Sequence, residues 1–426
     1  MKLNLGLFKG RNLPLYENSF DSNDTASVNI YKNTANLNIN IPVLNEDEGI
    51  KNMIFPISLV YSHSHRNVSG GCGYGVNLGF MKKITNITYE DSEAIKKITI
   101  KNSDYTEIDY EYDEDKGVYS NSYNDTYIVF KYAFNENNVV TGYDKICLYD
   151  LSGNCYQFNY VDNMTAANPE KIIKANKEEV LVSYLTNGNM ELSQGKYKII
   201  IARSFSEVEA RFIDFTYDGD TVKRVSLTYD SNEVLTKITK NNTEIKGYEF
   251  TDDYVITKNL ISGKYSKYYF DNDDKVTKIV NGYEENENSG KKVEFSYYNN
   301  YTEVTDYKGR KTIYYFNNSN RVKTVKDNLN RYSTYSYDNE YRLKESTVPL
   351  NLSKEESIKR GNLITGGFFD NDSLDYSNDT LLEVTNVNIE DDNVFTKGLK
   401  IKNTGVLRND ITFFVRNVDI NISYFK

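Results

Sequence analysis

The chain contains little tryptophan, proline, cysteine or histidine. Its 426 residues include no tryptophan, five prolines, three cysteines and two histidines. So few cysteines, at Cys72, Cys147 and Cys155, do not form the framework of a disulfide-stabilised domain. Because Cys147 and Cys155 flank a predicted turn, they form either a cross-strand bridge or, as we expect, two free and partly buried thiols.

Catalytic and metal-binding patterns are also scarce. The two histidines, His63 and His65, would project from one side of a strand and supply half a metal site, but the sequence offers no third ligand. We therefore interpret them as polar strand residues. The chain has no recognisable serine nucleophile motif and no cysteine–histidine pairing. We predict that it is not an enzyme and binds no metal or cofactor.

Charge and hydropathy exclude further partners. The chain has 51 lysines and arginines against 61 aspartates and glutamates, a net charge of −10, which opposes binding to nucleic acid or to an anionic membrane surface. No apolar run reaches the roughly 18 residues of a membrane span. Residues 1–20 lack a signal peptide's apolar core, because Lys9, Arg11 and Glu17 interrupt it. The chain is either cytoplasmic or exported without a cleaved signal, or, as we expect, it is an internal piece of a longer extracellular or cell-surface protein whose leader lies upstream.

Aromatic residues, in contrast, are abundant and regularly spaced. The chain has 38 tyrosines and 20 phenylalanines, which favour strands over helices. Residues 306–317 and 327–338 are two copies of one unit at an offset of 21 residues, as in a repeat array. Each copy begins with an aspartate turn, in which Gly309 or Asn330 tolerates positive φ. A strand with alternating side chains and a second turn follow, so the unit is predicted to be a β-hairpin.

The same aromatic-x-aromatic pattern extends over residues 191–346. Its second aromatic position recurs at successive offsets of 12, 21, 20, 27, 19 and 21 residues. We expect rings on neighbouring strands to stack into cross-strand ladders that fix the register. The predicted core positions, with the turn and step residues of the unit, are Tyr217, Tyr229, Phe250, Phe270, Tyr297, Phe316, Tyr337, Gly309, Arg310, Arg321 and Arg342.

These residues resemble the unit of YD-repeat (Rhs-type) proteins, which has an aspartate–glycine–arginine turn, an aromatic strand ending in Tyr-Asp, and then Gly-Arg-Leu. The likeness is carried by Gly309-Arg310, Tyr337-Asp338 and Arg342-Leu343. The positions of the family's second glycine are occupied by Asp274, Asn320 and Tyr341. The resemblance implies a hollow shell of β-hairpins that encloses a toxin or supports surface adhesion. Its partners would be other shell segments or an encapsulated polypeptide.

Residues 36–190 resemble the segment that precedes the repeats in Rhs-type proteins. Alternating apolar residues over 37–41 predict a strand that ends at Pro42, and a second strand follows at 56–61. Five glycines then stand within residues 70–79, where they allow sharp reversal and close approach of the backbone. The resemblance implies that this segment begins the β-shell.

Three later segments complete the predicted organisation. Residues 149–158 read as a degenerate copy of the hairpin unit, and the β-branched residues of 165–185 favour strands over a helix. Residues 347–361 carry a capping pattern for a short linker helix. Residues 362–370 resemble the first strand of jelly-roll carbohydrate-binding modules, although the remaining chain is too short for a whole module.

The predicted fold is therefore all-β. It is a spiralling sheet of YD-repeat β-hairpins that forms part of an Rhs-type shell, followed by a short linker helix and an incomplete β-sandwich module. The predicted divisions are 1–35, 36–190, 191–346, 347–361 and 362–426. The predicted function is a structural shell or surface scaffold related to toxin encapsulation. The alternative is a secreted or cell-surface protein whose exposed tyrosines bind cell-surface glycans.

Overall fold

The computed structural model describes the chain as two compact units. The described residues are 2–4, 15–19, 24–31, 37–44, 55–90, 94–121, 126–136, 139–203, 209–283, 290–338, 343–349, 382–388 and 397–403. Those up to residue 294 belong to the first unit, and those from residue 295 belong to the second. Every regular element in these ranges is a strand, apart from one 3-10 turn at His63–His65. The all-β prediction is confirmed.

The first unit begins with a small antiparallel sheet, the N-terminal sheet, in which consecutive strands pair. Its apolar residues alternate with polar ones along β4 and β5, so one face is buried. Its strands are β1 (Lys2–Asn4), β2 (Leu15–Asn18), β3 (Thr25–Asn29), β4 (Leu37–Leu44), β5 (Ile57–Ser62) and β6 (Val76–Leu78).

The rest of the first unit is one long antiparallel meander, in which each strand pairs with the next. Its last strand continues into the second unit. The strands are β7 (Lys83–Glu90), β8 (Ala94–Lys101), β9 (Glu107–Asp113), β10 (Val118–Ser120), β11 (Tyr127–Phe134), β12 (Val140–Tyr149), β13 (Cys155–Asn159), β14 (Lys171–Ile173), β15 (Glu179–Tyr184), β16 (Met190–Gln194), β17 (Tyr197–Arg203), β18 (Ala210–Tyr217), β19 (Asp220–Tyr229), β20 (Leu235–Lys240), β21 (Thr243–Phe250), β22 (Tyr254–Asn259), β23 (Tyr265–Phe270), β24 (Val276–Gly282) and β25 (Lys291–Tyr297).

The second unit continues the hairpin pattern. Strands β26 to β30 pair in sequence, and β32 pairs with both β30 and β31. The strands are β26 (Tyr301–Thr305), β27 (Lys311–Phe316), β28 (Val322–Lys326), β29 (Tyr332–Tyr337), β30 (Leu343–Pro349), β31 (Leu382–Asn388) and β32 (Lys397–Asn403).

One five-residue turn recurs between the hairpin strands. The side-chain oxygen of its first residue accepts hydrogen bonds from the backbone N–H groups two and four residues later. The fourth residue has positive φ in every copy, which is why glycine, asparagine or aspartate is favoured there. The first residues are Asp150, Asp230, Asp271, Asp306, Asn317 and Asp327. This pattern confirms the predicted hairpin unit and its degenerate copy at 149–158.

Several local predictions can be compared with these strands. Residues 165–185 form β14 and β15, as predicted. The prediction that Pro42 ends its strand is wrong, because β4 continues to Leu44 through a bulge in its pairing with β5; a bulge accommodates the missing N–H of proline. Of the predicted linker helix, residues 347–349 lie in β30, and the remainder lies outside the described residues.

Gly309 tests the backbone requirement of the turn. Its φ is +74°, and a Cβ added there would have no atom within 4 Å. Gly309→Ala is therefore expected to lower the free energy of unfolding by about 1 kcal/mol through backbone strain alone. Urea unfolding of the purified chain, followed by tyrosine fluorescence, measures this change.

The matched control is Asn330→Gly in the next turn, where φ is +61°. Because glycine adopts this conformation without a Cβ clash, this substitution should leave stability unchanged or slightly higher. Equal loss from both substitutions would contradict the assignment of strain to the fourth turn position.

Candidate interface between the N-terminal sheet and the hairpin array

The seven aromatics predicted as core positions share one place in the array, but of these only Phe316 is buried, and Tyr217 is 44% exposed. The buried rings lie two residues earlier, at Phe215, Tyr248, Tyr268, Phe295 and Tyr314. All seven are the last residues of their strands: Tyr217 (β18), Tyr229 (β19), Phe250 (β21), Phe270 (β23), Tyr297 (β25), Phe316 (β27) and Tyr337 (β29). From β19 onward they fall on alternate strands, so the offset between successive rings is the length of one hairpin. From β19 to β29 the structure therefore places one such ring before every second turn of the array.

A β-bulge recurs at this ring, which the sequence analysis did not anticipate. The pairing register shifts at Tyr229, Phe270, Phe316 and Tyr337. A bulge bends the strand and redirects the side chain that follows it. It therefore gives each ring a direction different from that of the alternating residues before it.

Two of these rings stack on residues of the N-terminal sheet. Phe250 lies against Tyr61 of β5 with ring centroids 4.0 Å apart, and Phe270 lies against His63 with centroids 3.6 Å apart. Both N-terminal side chains have no exposed surface, and the Tyr61 hydroxyl is 2.9 Å from His63 Nδ1. Burial strongly raises the pKa of Tyr61, so its hydroxyl stays protonated. The rings predicted to form a ladder thus stack here on Tyr61 and His63 from the N-terminal part of the chain.

A third ring of the array contacts the glycine-rich loop. A Cβ on Gly73 would lie 2.9 Å from the Tyr229 ring and 3.0 Å from the backbone oxygen of Glu233. Gly73 also has φ of +102°. The next residue, Tyr74, donates its backbone N–H to that same oxygen over 3.2 Å. The predicted close approach of the glycine-rich backbone is therefore confirmed, and its partner is a turn of the array.

Arg66 joins the same segment to two further turns. Its Nε donates to Asp252 Oδ1 at 2.5 Å, and its Nη1 donates to Asp274 Oδ2 at 3.0 Å. Burial disfavours the charged guanidinium, but the hydrogen bonds to Asp252 and Asp274 outweigh it and raise the pKa of Arg66. The hydrogen bond from Arg66 lowers the pKa of Asp252. Residues 61–75, here called the docked segment, thus contact three successive turns, at Glu233, Asp252 and Asp274.

A buried polar network attaches the start of the N-terminal sheet. Asn18 donates to Tyr268 Oη at 2.9 Å and to Asn281 Oδ1 at 3.0 Å, and Ser266 donates to Asn281 at 2.7 Å. All four residues are buried. Because these polar groups pair with one another, their burial specifies this arrangement over alternatives that would leave them unpaired.

An ion pair lies beside this network. The Lys246 ammonium, 4% exposed, contacts the Asp24 carboxylate, 11% exposed, and the Tyr248 hydroxyl donates to the other oxygen of Asp24. Removing one charge of such a pair leaves the other buried without compensation, which costs far more than the pair itself contributes. The contact therefore constrains where residue 24 lies on β21.

The remaining predicted residues serve the turns of the second unit. Arg310 forms an ion pair with Asp306 across its own turn. Arg321 is buried, and its guanidinium lies 5.8 Å from the centroid of the Tyr337 ring. The Tyr337 hydroxyl donates to the backbone oxygen of Val322 at 2.8 Å. Arg342 lies outside the described residues.

The predictions for histidine and cysteine have different outcomes. His63 and His65 do not share a strand face as expected; they belong to a 3-10 turn, and His65 stacks on Tyr105 at 4.7 Å instead. Within the described ranges, no group of three His, Cys, Asp or Glu side chains could hold a metal ion. Cys147 and Cys155 are free and buried, so the expected free thiols are confirmed.

The sequence analysis missed the residues that insert into the array. Tyr61, His63 and Arg66 stand just before the glycine-rich loop, and this close sequence of an aromatic residue, a histidine and an arginine after an apolar strand could have indicated a contact site. No sequence pattern marks Asn18 or Asp24, because their partners lie in hairpins far along the chain.

Three solved structures that carry the name TcdB2-TccC3 are similar to part of this chain. The crystal structure of TcdB2-TccC3-TEV matches with a TM-score of 0.24 and 8% identity over 77% of this chain and 23% of that chain. TcdB2-TccC3 without its hypervariable C-terminal region matches with a TM-score of 0.23 and 11% identity, over 77% of this chain and 20% of that chain. TcdB2-TccC3 matches with a TM-score of 0.23 and 9% identity, over 82% of this chain and 24% of that chain.

This chain therefore spans at most about a quarter of each of those chains. TM-scores of this size do not establish a common fold, so the function is inferred from this chain's own residues. No protein-family profile matches the chain, and no curated protein matches it. In the described part of the chain, no helix is long and apolar enough to cross a membrane.

Gly73→Ala tests the contact between the docked segment and the array. The new Cβ must displace the Tyr229 ring or the Glu233 backbone and must also adopt an unfavourable φ. We expect the free energy of unfolding to fall by about 3 kcal/mol, near the upper end for single substitutions. Urea unfolding measures this loss.

Gly117→Ala is the matched control. Gly117 has φ of +64° but no atom within 4 Å of an added Cβ, so only the backbone cost of about 1 kcal/mol is expected. If both substitutions cost the same, the close approach at Gly73 does not contribute to docking.

Proposed function

We propose that this chain is a non-enzymatic structural protein of YD-repeat (Rhs) type. It forms part of a β-shell or surface scaffold and takes part in enclosing or delivering a toxin polypeptide outside the cell or at its surface. Its partners are other shell segments or the enclosed polypeptide. The observation that carries the proposal is the recurrence of one hairpin turn, with the same hydrogen bonds and the same positive-φ position, between antiparallel strands of both units.

The docked segment supports the same proposal. A meander of hairpins has a buried face that must be covered to remain stable, and its polar backbone edges must be paired or protected. Here the N-terminal sheet covers three successive hairpins through aromatic stacking and the Arg66 ion pairs. The charges of Arg66, Asp252 and Asp274 are paired within these contacts, which supports a scaffold.

One end of the meander offers a surface for an enclosed polypeptide. The face of β11 to β13 that carries buried Ile128, Ile146 and Phe158, here called the core face, continues into exposed aromatic rings. Tyr132 is 53% exposed and lies 5.4 Å from the Tyr143 ring. Exposed aromatic residues of this kind bury large areas when a polypeptide binds.

Adjacent positions on β11 allow a direct test. A photo-reactive benzoylphenylalanine at position 132 lies on the core face, whereas the same residue at position 131 lies on the opposite face. In the native host, the shell proposal expects position 132 to cross-link to a polypeptide and position 131 to give little product. Mass spectrometry of the cross-linked species identifies the partner.

The opposite result would reject an enclosing role. Cross-links from position 131 alone would place the binding face on the other side of the sheet. An absence of polypeptide cross-links from both positions, with the variants folded as judged by circular dichroism, would leave no enclosed partner at this surface.

Glycan binding is the second candidate, and the same ring cluster favours it. Tyr112, Tyr132 and Tyr143 are 54%, 53% and 39% exposed, and phenol rings combine a flat apolar face with a hydroxyl that forms hydrogen bonds. A glycan array probed with the purified chain should then show binding that Tyr143→Ala reduces at least about tenfold, the effect of losing about 1.4 kcal/mol.

Tyr217→Ala is the control, because Tyr217 is 44% exposed but lies at the end of β18, apart from the cluster. It should leave glycan binding unchanged. An array without signal for the unmodified chain would contradict the glycan candidate and leave the shell proposal untouched.

A further inference from the structure

His63 is a fully buried imidazole at the centre of the docked segment. Its ring stacks on Phe270 with an interplanar angle of 3° and centroids 3.6 Å apart. Its Nδ1 is 2.9 Å from the Tyr61 hydroxyl, while its buried Nε2 has no hydrogen-bond partner. A neutral imidazole fits this place, because its flat apolar face fills the space against Phe270.

The charged groups around His63 come from three elements. Arg66 follows it in the docked segment, Asp252 lies in the turn between β21 and β22, and Asp274 lies in the turn between β23 and β24. Asp274 Oδ1 is 3.6 Å from Nε2, but the other oxygen of this carboxylate accepts a hydrogen bond from Arg66. A proton on His63 would place a second cation beside a carboxylate that already faces Arg66, on an imidazole that has no exposed surface.

We propose that His63 is an acid-sensitive latch: its protonation releases the docked segment from the hairpin array, so the contact holds at neutral pH and opens in mildly acidic solution. The change requires no cofactor, since one proton bound by the released imidazole accounts for it. The released state also separates Arg66 from Asp252 and Asp274, so the three turns lose their common partner together.

The pH window follows from the two states. Burial, with a further contribution from Arg66, lowers the pKa of docked His63 from 6.5 to about 4, and the two aspartates oppose this shift without cancelling it. Because the docked pKa of His63 lies below that of a free histidine, neutral His63 stabilises the docked state fully above pH 6.5. This contribution is lost as the pH falls, and the stability of the docked state changes no further below about pH 4. Between pH 7 and 5 the equilibrium for release should rise about 20-fold. Asp252, whose pKa is lowered by Arg66, keeps its charge through this window.

Amide hydrogen exchange of the full chain at pH 7 and pH 5, corrected for intrinsic exchange rates, tests the latch. We expect protection of residues 57–78 to fall about 20-fold relative to β14–β16, whose described strand pairings are all with other strands of the meander. His63→Phe keeps a ring to stack on Phe270 and has no proton to bind, so its protection should change much less over this pH range.

The chain contains only two histidines, and the second, His65, lies in the same docked segment. Burial and Lys101 lower the pKa of His65, and Asp104 opposes this shift. His65→Phe removes this imidazole, half-buried against Tyr105, and should retain most of the pH dependence. The proposal is overturned if His63→Phe loses protection in acid as the unmodified chain does, or if only His65→Phe removes the effect.

A second measurement covers a His63→Phe variant that fails to fold. Nuclear magnetic resonance of the unmodified chain with labelled histidine resolves two imidazoles, whose titrations are assigned with His65→Phe. A pKa for His63 clearly below 5 supports the latch. A value of 6.5 or higher shows that docking does not oppose protonation, and it overturns the proposal.

Discussion

The hydrogen bonds from one side-chain oxygen to two backbone N–H groups in the hairpin turn underlie the rest of this structure. They fix where each strand ends, and the bulge beside the turn redirects the last ring of the strand. The turn follows such a ring directly at Tyr229, Phe270 and Phe316, while its copies at Asp306 and Asp327 lie at the other end of the strands. Rings at the ends of alternate strands therefore recur one hairpin apart, a property that no single hairpin would have.

Residues 61–75, which follow from the N-terminal sheet, contact three of these rings together. Gly73 approaches Tyr229, Tyr61 stacks on Phe250, and His63 stacks on Phe270. Arg66 then links the turns of the last two hairpins. Each contact is modest alone, since exposed ion pairs contribute at most about 1 kcal/mol, but the three hairpins cannot shift relative to one another without breaking several contacts together.

This arrangement explains why the chain is rich in tyrosine and asparagine but has few catalytic residues. Tyrosine fills the buried face while its hydroxyl pairs with a neighbour, as Tyr268 does with Asn18 and Tyr337 with Val322. Asparagine and aspartate supply the turn oxygens and tolerate positive φ.

The amino-acid sequence by itself determined the all-β fold, the hairpin unit and its period, because these depend on alternation and turn chemistry within a single hairpin. The seven rings predicted as core, from Tyr217 to Tyr337, all end their strands, but only Phe316 is buried. Only the tertiary structure decided what those rings contact. Phe250 and Phe270 stack on Tyr61 and His63 rather than forming a ladder by themselves. His63 lies in a buried 3-10 turn and not in the predicted strand. Such contacts join residues from distant parts of the chain, and local periodicity carries no information about which distant segment packs against a given ring.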